Sequence, residues 1–103
     1  MSSRSEIRFN FRTAIKQAER LETSASQLKK LANTSLENSL DTLSGSWKGE
    51  NASAYIKKGV ILQKDIAATS EELNRVAADI RRIAKRIYDA EMEALRIASK
   101  RDY

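Results

Sequence analysis

Ser44-Gly45-Ser46-Trp47-Lys48-Gly49 lies near the middle of a 103-residue chain and holds its only tryptophan and two of its three glycines. Proline is absent, so this hexapeptide is the one strong break signal in the sequence. Helix-period patterns run up to it and away from it. The break therefore decides the fold class: all-α, an antiparallel helical hairpin of two long helices joined by this bend.

Upstream, apolar residues from Ile7 to Leu43 recur at steps of mostly three or four, the signature of one helical stripe. Phe11, Ala18, Ala25 and Ala32 form a seven-residue series, with Ala14, Leu21 and Leu28 as its companion. Alternating alanine and leucine lines let two helix axes approach closely. The pattern predicts a helix over about residues 6–43. Ser5 is its expected cap, Glu6 suits its positive end, and Gly45 is expected to take a left-handed capping conformation beyond Leu43.

Downstream of a turn over about 44–50, Ile66, Leu73, Ile80 and Ile87 are spaced by seven. Leu62, Val76, Ile83 and Ile97 fall on a second line with Thr69 and Ala90, and Ala77, Ala84 and Ala98 on a third. This is a heptad seam over about four heptads, which predicts coiled-coil-like packing of a helix over about 51–99. Gly49 is expected to serve the backbone entering that helix, as its N-cap. Gly59 predicts close contact with the first helix, since an uncompensated mid-helix glycine costs about 1 kcal/mol. The candidate core is Phe11, Leu21, Leu28, Leu36, Ile66, Leu73, Ile80 and Ile87. At about 1.5 Å per residue, the helices would be about 57 and 74 Å long, leaving a C-terminal overhang from about Tyr88. Residues 1–103 read as a single helical-hairpin domain.

Two packed helices enclose no interior, and the stripes here are wider than one seam. Each Leu or Ile left in water forfeits roughly 1.5–3 kcal/mol. Association into a four-helix bundle dimer is the expected remedy, with a second copy or a related hairpin as partner.

Composition narrows the chemistry. The chain lacks cysteine and histidine, which removes thiolate nucleophiles, disulfides, and the commonest general base and metal ligand. The carboxylate pairs Glu71-Glu72 and Glu91/Glu93 have no partner acid, base or metal in view, so neither catalysis nor a cofactor is expected. No apolar run approaches the roughly 18 residues of a membrane span, and no membrane insertion is expected. The first ten residues lack the apolar core of a Sec-type leader, which by itself favours a cytoplasmic protein.

The formal net charge is +5. Arg4, Arg8, Arg12, Lys16 and Arg20 recur every four residues, a ribbon drifting about 40° per step around a helix. Arg75, Arg81, Arg82, Lys85 and Arg86 form a second cluster. Glu6, Glu19 and Glu22 interleave with the first, and Asp79 and Asp89 dilute the second. Without a helix-turn-helix or zinc pattern, these are expected to be solvated faces, and specific nucleic-acid recognition is not expected. The alternative built on this charge is a cytoplasmic basic coiled-coil scaffold or nucleic-acid-binding protein. It gives no account of Trp47-Lys48-Gly49 at the bend.

A Trp-X-Gly tripeptide at mid-chain, between two uninterrupted helices in a chain of this length, resembles the WXG-hundred (ESAT-like) family. These are small helical hairpins exported by type VII secretion systems of Gram-positive bacteria and mycobacteria. The resemblance implies secretion through such a system from the cytoplasm, without a cleaved signal peptide. The role implied is that of a secreted substrate, or of a co-secreted partner and targeting factor for a larger toxin. It works by helix packing and signal presentation, without catalysis. The implied partners are a second hairpin or a toxin's N-terminal helical domain, and the type VII secretion ATPase. Trp47 and Gly49 take the place of the export and recognition motif. Family members often add Tyr-x-x-x-Asp/Glu past the paired part of the second helix. Here the fourth residue after Tyr88 is Met92, so Tyr88, Asp89, Glu91 and Glu93 form at most a degenerate version. That departure shifts the expectation toward the partner role. The plainer reading of Tyr88 is an aromatic at the edge of the seam.

Overall fold

A computed structural model describes residues 3–101. Helix α1 (Arg4–Lys30) runs into a π-helical turn (Leu31–Leu36), then α2 (Glu37–Ser46), and after a short break α3 (Glu50–Arg101). Among the described residues there is no strand.

The break is tighter than the expected 44–50. Helix continues through Ser46, and only Trp47, Lys48 and Gly49 lie outside. Gly45 is helical, and the positive φ, 112°, falls on Gly49 instead. Trp47 terminates α2: its backbone turns extended (φ −118°, ψ 119°) while its N–H still donates to the Leu43 carbonyl. Gly49 then reverses the chain through a region closed to residues with a Cβ. Its carbonyl accepts from the Ser53 N–H at 3.0 Å, the first bond of α3, which makes it the N-cap.

The first helix starts two residues earlier than expected. Ser3, not Ser5, caps α1: its hydroxyl accepts from the Glu6 N–H at 3.2 Å and its carbonyl from the Ile7 N–H at 3.0 Å. Ser3 and Glu6 have the spacing of a capping box. Ser5 lies within the first helical turn, where its own N–H needs no partner.

The chain divides into two compact units: Glu22–Asn74, here the turn unit, and residues 4–21 with 75–101, here the end unit. The turn unit is a helical hairpin. Ala25, Ala32, Leu40, Ala52 and Ser70 are its buried side chains. The Ser70 hydroxyl donates to the Ala25 carbonyl at 2.6 Å, and seven residues earlier the Gln63 amide donates to the Ala32 carbonyl at 2.9 Å. Side chains this small bring the backbones close enough for such bonds. Gly59 carries this to its limit, since a Cβ there would overlap Leu40, the close contact its mid-helix position predicts.

The π-helical turn was not anticipated. Ala18, Ala25 and Ala32 are buried at intervals of seven, but the next buried residue is Leu40, and Ser39 is exposed. One extra residue has to be absorbed between them, and a π turn does that without breaking the helix. Gln63 also reaches the Glu37 carboxylate just past this turn, tying it to α3.

In the end unit, Ile7, Ala18, Ala77 and Ala84 are buried. The rings of Phe11 and Tyr88 meet at 4.9 Å. Ile7, Tyr88 and Glu91 line one groove, so α3 is still paired with α1 past Tyr88, and any overhang begins later than expected.

The buried lines are thus the small residues. Phe11, Leu21, Leu28, Leu36, Ile66, Leu73 and Ile80 flank them half-buried, and Ile87 is 51% exposed. In the turn unit, Leu28 and Leu73 each stand three residues after a buried partner, Ala25 and Ser70. In the end unit, Leu21 and Ile80 stand three after Ala18 and Ala77. Equal offsets on antiparallel helices fall on the same side. In each unit that pair shares a side. α3 also carries Leu62, Val76, Ile83 and Ile97, which are 40–52% exposed.

Candidate functional site

Trp47 stands at the turn, 41% exposed, away from the buried small-residue line. Its ring leans on Tyr55, centroid to centroid 5.4 Å at 39°. Tyr55 enters from the second turn of α3 and is itself 63% exposed. The turn geometry makes the meeting. Gly49 reverses the chain within three residues, so a side chain early in α3 returns to the residue that ends α2. The Lys48 ammonium folds back to the Ser44 carbonyl at 3.1 Å, leaving the aromatic pair uncovered. Indole and phenol are amphipathic platforms with polar tips, suited to a partner's half-apolar surface. Tyr55 was not foreseen as a companion of Trp47. The available signal was an aromatic in the opening turns of the helix that follows a short glycine turn.

The four residues considered as a degenerate C-terminal signal are not gathered into one surface. Tyr88 is half-buried against Phe11, and Glu91 lines the groove with Ile7. Asp89 pairs with Lys85 at 3.1 Å, and Glu93 pairs with Arg96. The hydrogen bond from Arg96 holds the Glu93 carboxyl below its ordinary range and raises the guanidinium in turn. Both side chains are more than half exposed, so the pair is screened by solvent. Tyr88 and Glu91 turn toward α1, whereas Asp89 and Glu93 are occupied along α3.

The basic clusters also separate. Arg82 pairs with Asp79 at 3.4 Å on α3, and Arg75 and Arg81 are likewise engaged. On α1, Arg8 and Arg12 have no ion-pair or hydrogen-bond partner among the described residues. Among the described residues, no three carboxylates come together as a metal-holding group, and no helix is long and apolar enough to cross a membrane. Comparisons of the chain with protein-family models, curated proteins and solved structures return no match.

Proposed function

We propose that this chain is an interaction protein of the WXG-hundred type. It is a type VII secretion substrate, or a co-secreted partner and targeting factor for a larger toxin with a similar helical segment. The observation that carries the reading is the turn itself. A single tryptophan is displayed, not buried, on a three-residue Trp-Lys-Gly turn between two packed helices. A large side chain that served helix packing alone would belong among the half-buried residues flanking the seam, and Trp47 is not among them. The uncovered Leu62, Val76, Ile83 and Ile97 line supports a second helical partner, with a four-helix bundle as the assembled form. The partner role is favoured because Tyr88, Asp89, Glu91 and Glu93 do not form a common surface.

The test is Trp47→Ala in a type VII-competent host, comparing secretion, melting and assembly with the parent. Secretion of the chain or of its partner is expected to be lost while the helices persist. The ring contact with Tyr55 that is lost contributes about 0.5–1.5 kcal/mol, and the expected melting shift is below about 10 °C in a chain of this size. A larger shift makes Trp47 mainly structural. Normal secretion with normal stability removes the basis for the export role.

A further inference from the structure

Charge is divided unevenly between the two units. Residues 4–21 and 75–101 hold thirteen of the 19 Lys and Arg against six carboxylates, whereas Glu22–Asn74 holds six against seven. Within the end unit, α3 neutralises many of its own cations through Asp79, Asp89 and Glu93. Arg8 and Arg12 on α1 are not neutralised. They stand one turn apart along a groove whose wall is the Phe11–Tyr88 ring pair and whose far rim carries Lys85. Tyr88 stands four residues after the buried Ala84, on the opposite side of the unit from Ile80. The groove thus opens on the side of the unit away from Leu21 and Ile80.

We propose that this groove binds a short acidic segment of a partner protein, with an apolar or aromatic side chain seated on Phe11 and Tyr88 and flanking carboxylates on Arg8 and Arg12. The chemistry selects this occupant. Guanidinium groups match carboxylates in a planar, two-bond geometry, and the half-buried ring pair offers an apolar anchor a platform to rest on. Phosphate-backbone binding of useful strength sums many cation contacts, whereas the groove offers Arg8 and Arg12 beside a Lys85 that already pairs with Asp89. The remaining ribbon residues, Arg4, Lys16 and Arg20, drift around α1 and away from it. A bilayer is flat, and only a projecting side chain reaches rings set between two helices. The groove's occupancy does not depend on what covers the side carrying Leu21 and Ile80, nor on the export reading.

The test is fluorescence anisotropy on the full chain at low salt. The probes are a fluorescein-labelled peptide, Asp-Glu-Phe-Glu-Asp, and its uncharged counterpart, Asn-Gln-Phe-Gln-Asn. The acidic peptide is expected to bind saturably, about tenfold tighter than the uncharged one. The double substitution Arg8→Gln with Arg12→Gln is expected to weaken it by a similar factor, and replacing the peptide's Phe with Gly to weaken it further. Arg4→Gln with Arg20→Gln, on the same ribbon but outside the groove, leaves affinity unchanged. Circular dichroism checks that each variant keeps its helix. Equal losses from the two double variants would reduce the effect to diffuse charge and overturn the site. So would tighter binding, through Arg8 and Arg12, of a short DNA duplex or of phosphatidylglycerol vesicles at the same ionic strength. Absence of saturable peptide binding up to about 1 mM would overturn it as well.

Discussion

Gly45 and Gly49 flank the same tryptophan, yet their backbones ask for opposite substitutions. Gly45 is helical, and a Cβ there meets nothing within 4 Å. Gly45→Ala is expected to stabilise by about 0.5–1 kcal/mol, through lower unfolded-state entropy and better helix propensity. Gly49 holds φ at 112°, so Gly49→Ala is expected to destabilise by at least about 1 kcal/mol. Chemical-denaturation curves followed by circular dichroism give both signs. If both variants shift the same way, the reversal has been placed at the wrong glycine. At the other end of the chain, the Glu93–Arg96 pair makes a prediction about pH. The folded-state pKa of Glu93 is depressed. Its contribution is therefore present above the unfolded carboxyl value and lost as pH falls through the folded one. Solvent screening keeps the stability effect small, so the better readout is the carboxyl titration followed by NMR. Glu93 is expected to titrate below an ordinary glutamate, and Arg96→Gln to return it to the usual range. A Glu93 titration that Arg96→Gln leaves unchanged would exclude the pair as the cause.

At the scale of elements, the two helical runs, their mid-chain turn and the close approach at Gly59 were legible because each leaves a local mark. The marks are a period of three to four, a glycine-flanked break, and a lone glycine inside a stripe. Caps and register were less so. Ser3 and Ser5 are both plausible caps, and only the three-residue spacing from Ser3 to Glu6 separates them. The eight-residue step from Ala32 to Leu40 was hidden among Leu36, Leu40 and Leu43, which keep an apolar stripe going in either register. If the π-helical turn absorbs that extra residue, removing one residue there restores a step of seven. Deletion of Asn33 is expected to leave a cooperative melt within a few degrees of the parent, a change below about 1 kcal/mol. Deletion of Thr23 instead rotates one half of α1 by about 100° against the other and is expected to abolish the cooperative transition. Comparable damage from both deletions would mean that the π turn does not set the register.

For the whole molecule, the open question raised by the exposed apolar residues of α3 is association. Ile83 is 46% exposed on the outer line of α3, whereas Ile80 is half-buried beside the seam. Ile83→Asp is expected to separate assembly from folding, lowering the measured mass while keeping the helix. Ile80→Asp is expected to reduce both, because a charge placed against the seam loses water without gaining a partner. Light scattering coupled to size exclusion measures the first effect and a thermal melt the second. A parent protein that is a well-folded monomer of 11.6 kDa would contradict self-association. A poorly folded parent rescued by a co-expressed helical partner would favour the mixed complex.

The sequence by itself determined the all-helical class, the position of the turn and the isolation of Trp47, since periodicity and break residues act over a few neighbours. Only the tertiary structure decided which line becomes the seam. Large residues are read first because their burial energy is large, yet among the described residues only Ile7 and Leu40 of that size are buried, and the rest are Ala18, Ala25, Ala32, Ala52, Ser70, Ala77 and Ala84. Close backbone approach, with Ser70 and Gln63 bonding to the opposite carbonyls, requires small side chains at the line of contact and pushes Leu and Ile to its flanks. Tertiary structure also decided the pairings of Trp47 with Tyr55 and of Phe11 with Tyr88. The first depends on how tightly the chain reverses at Gly49 and the second on how α1 and α3 pair, and neither is a property of the residues that meet.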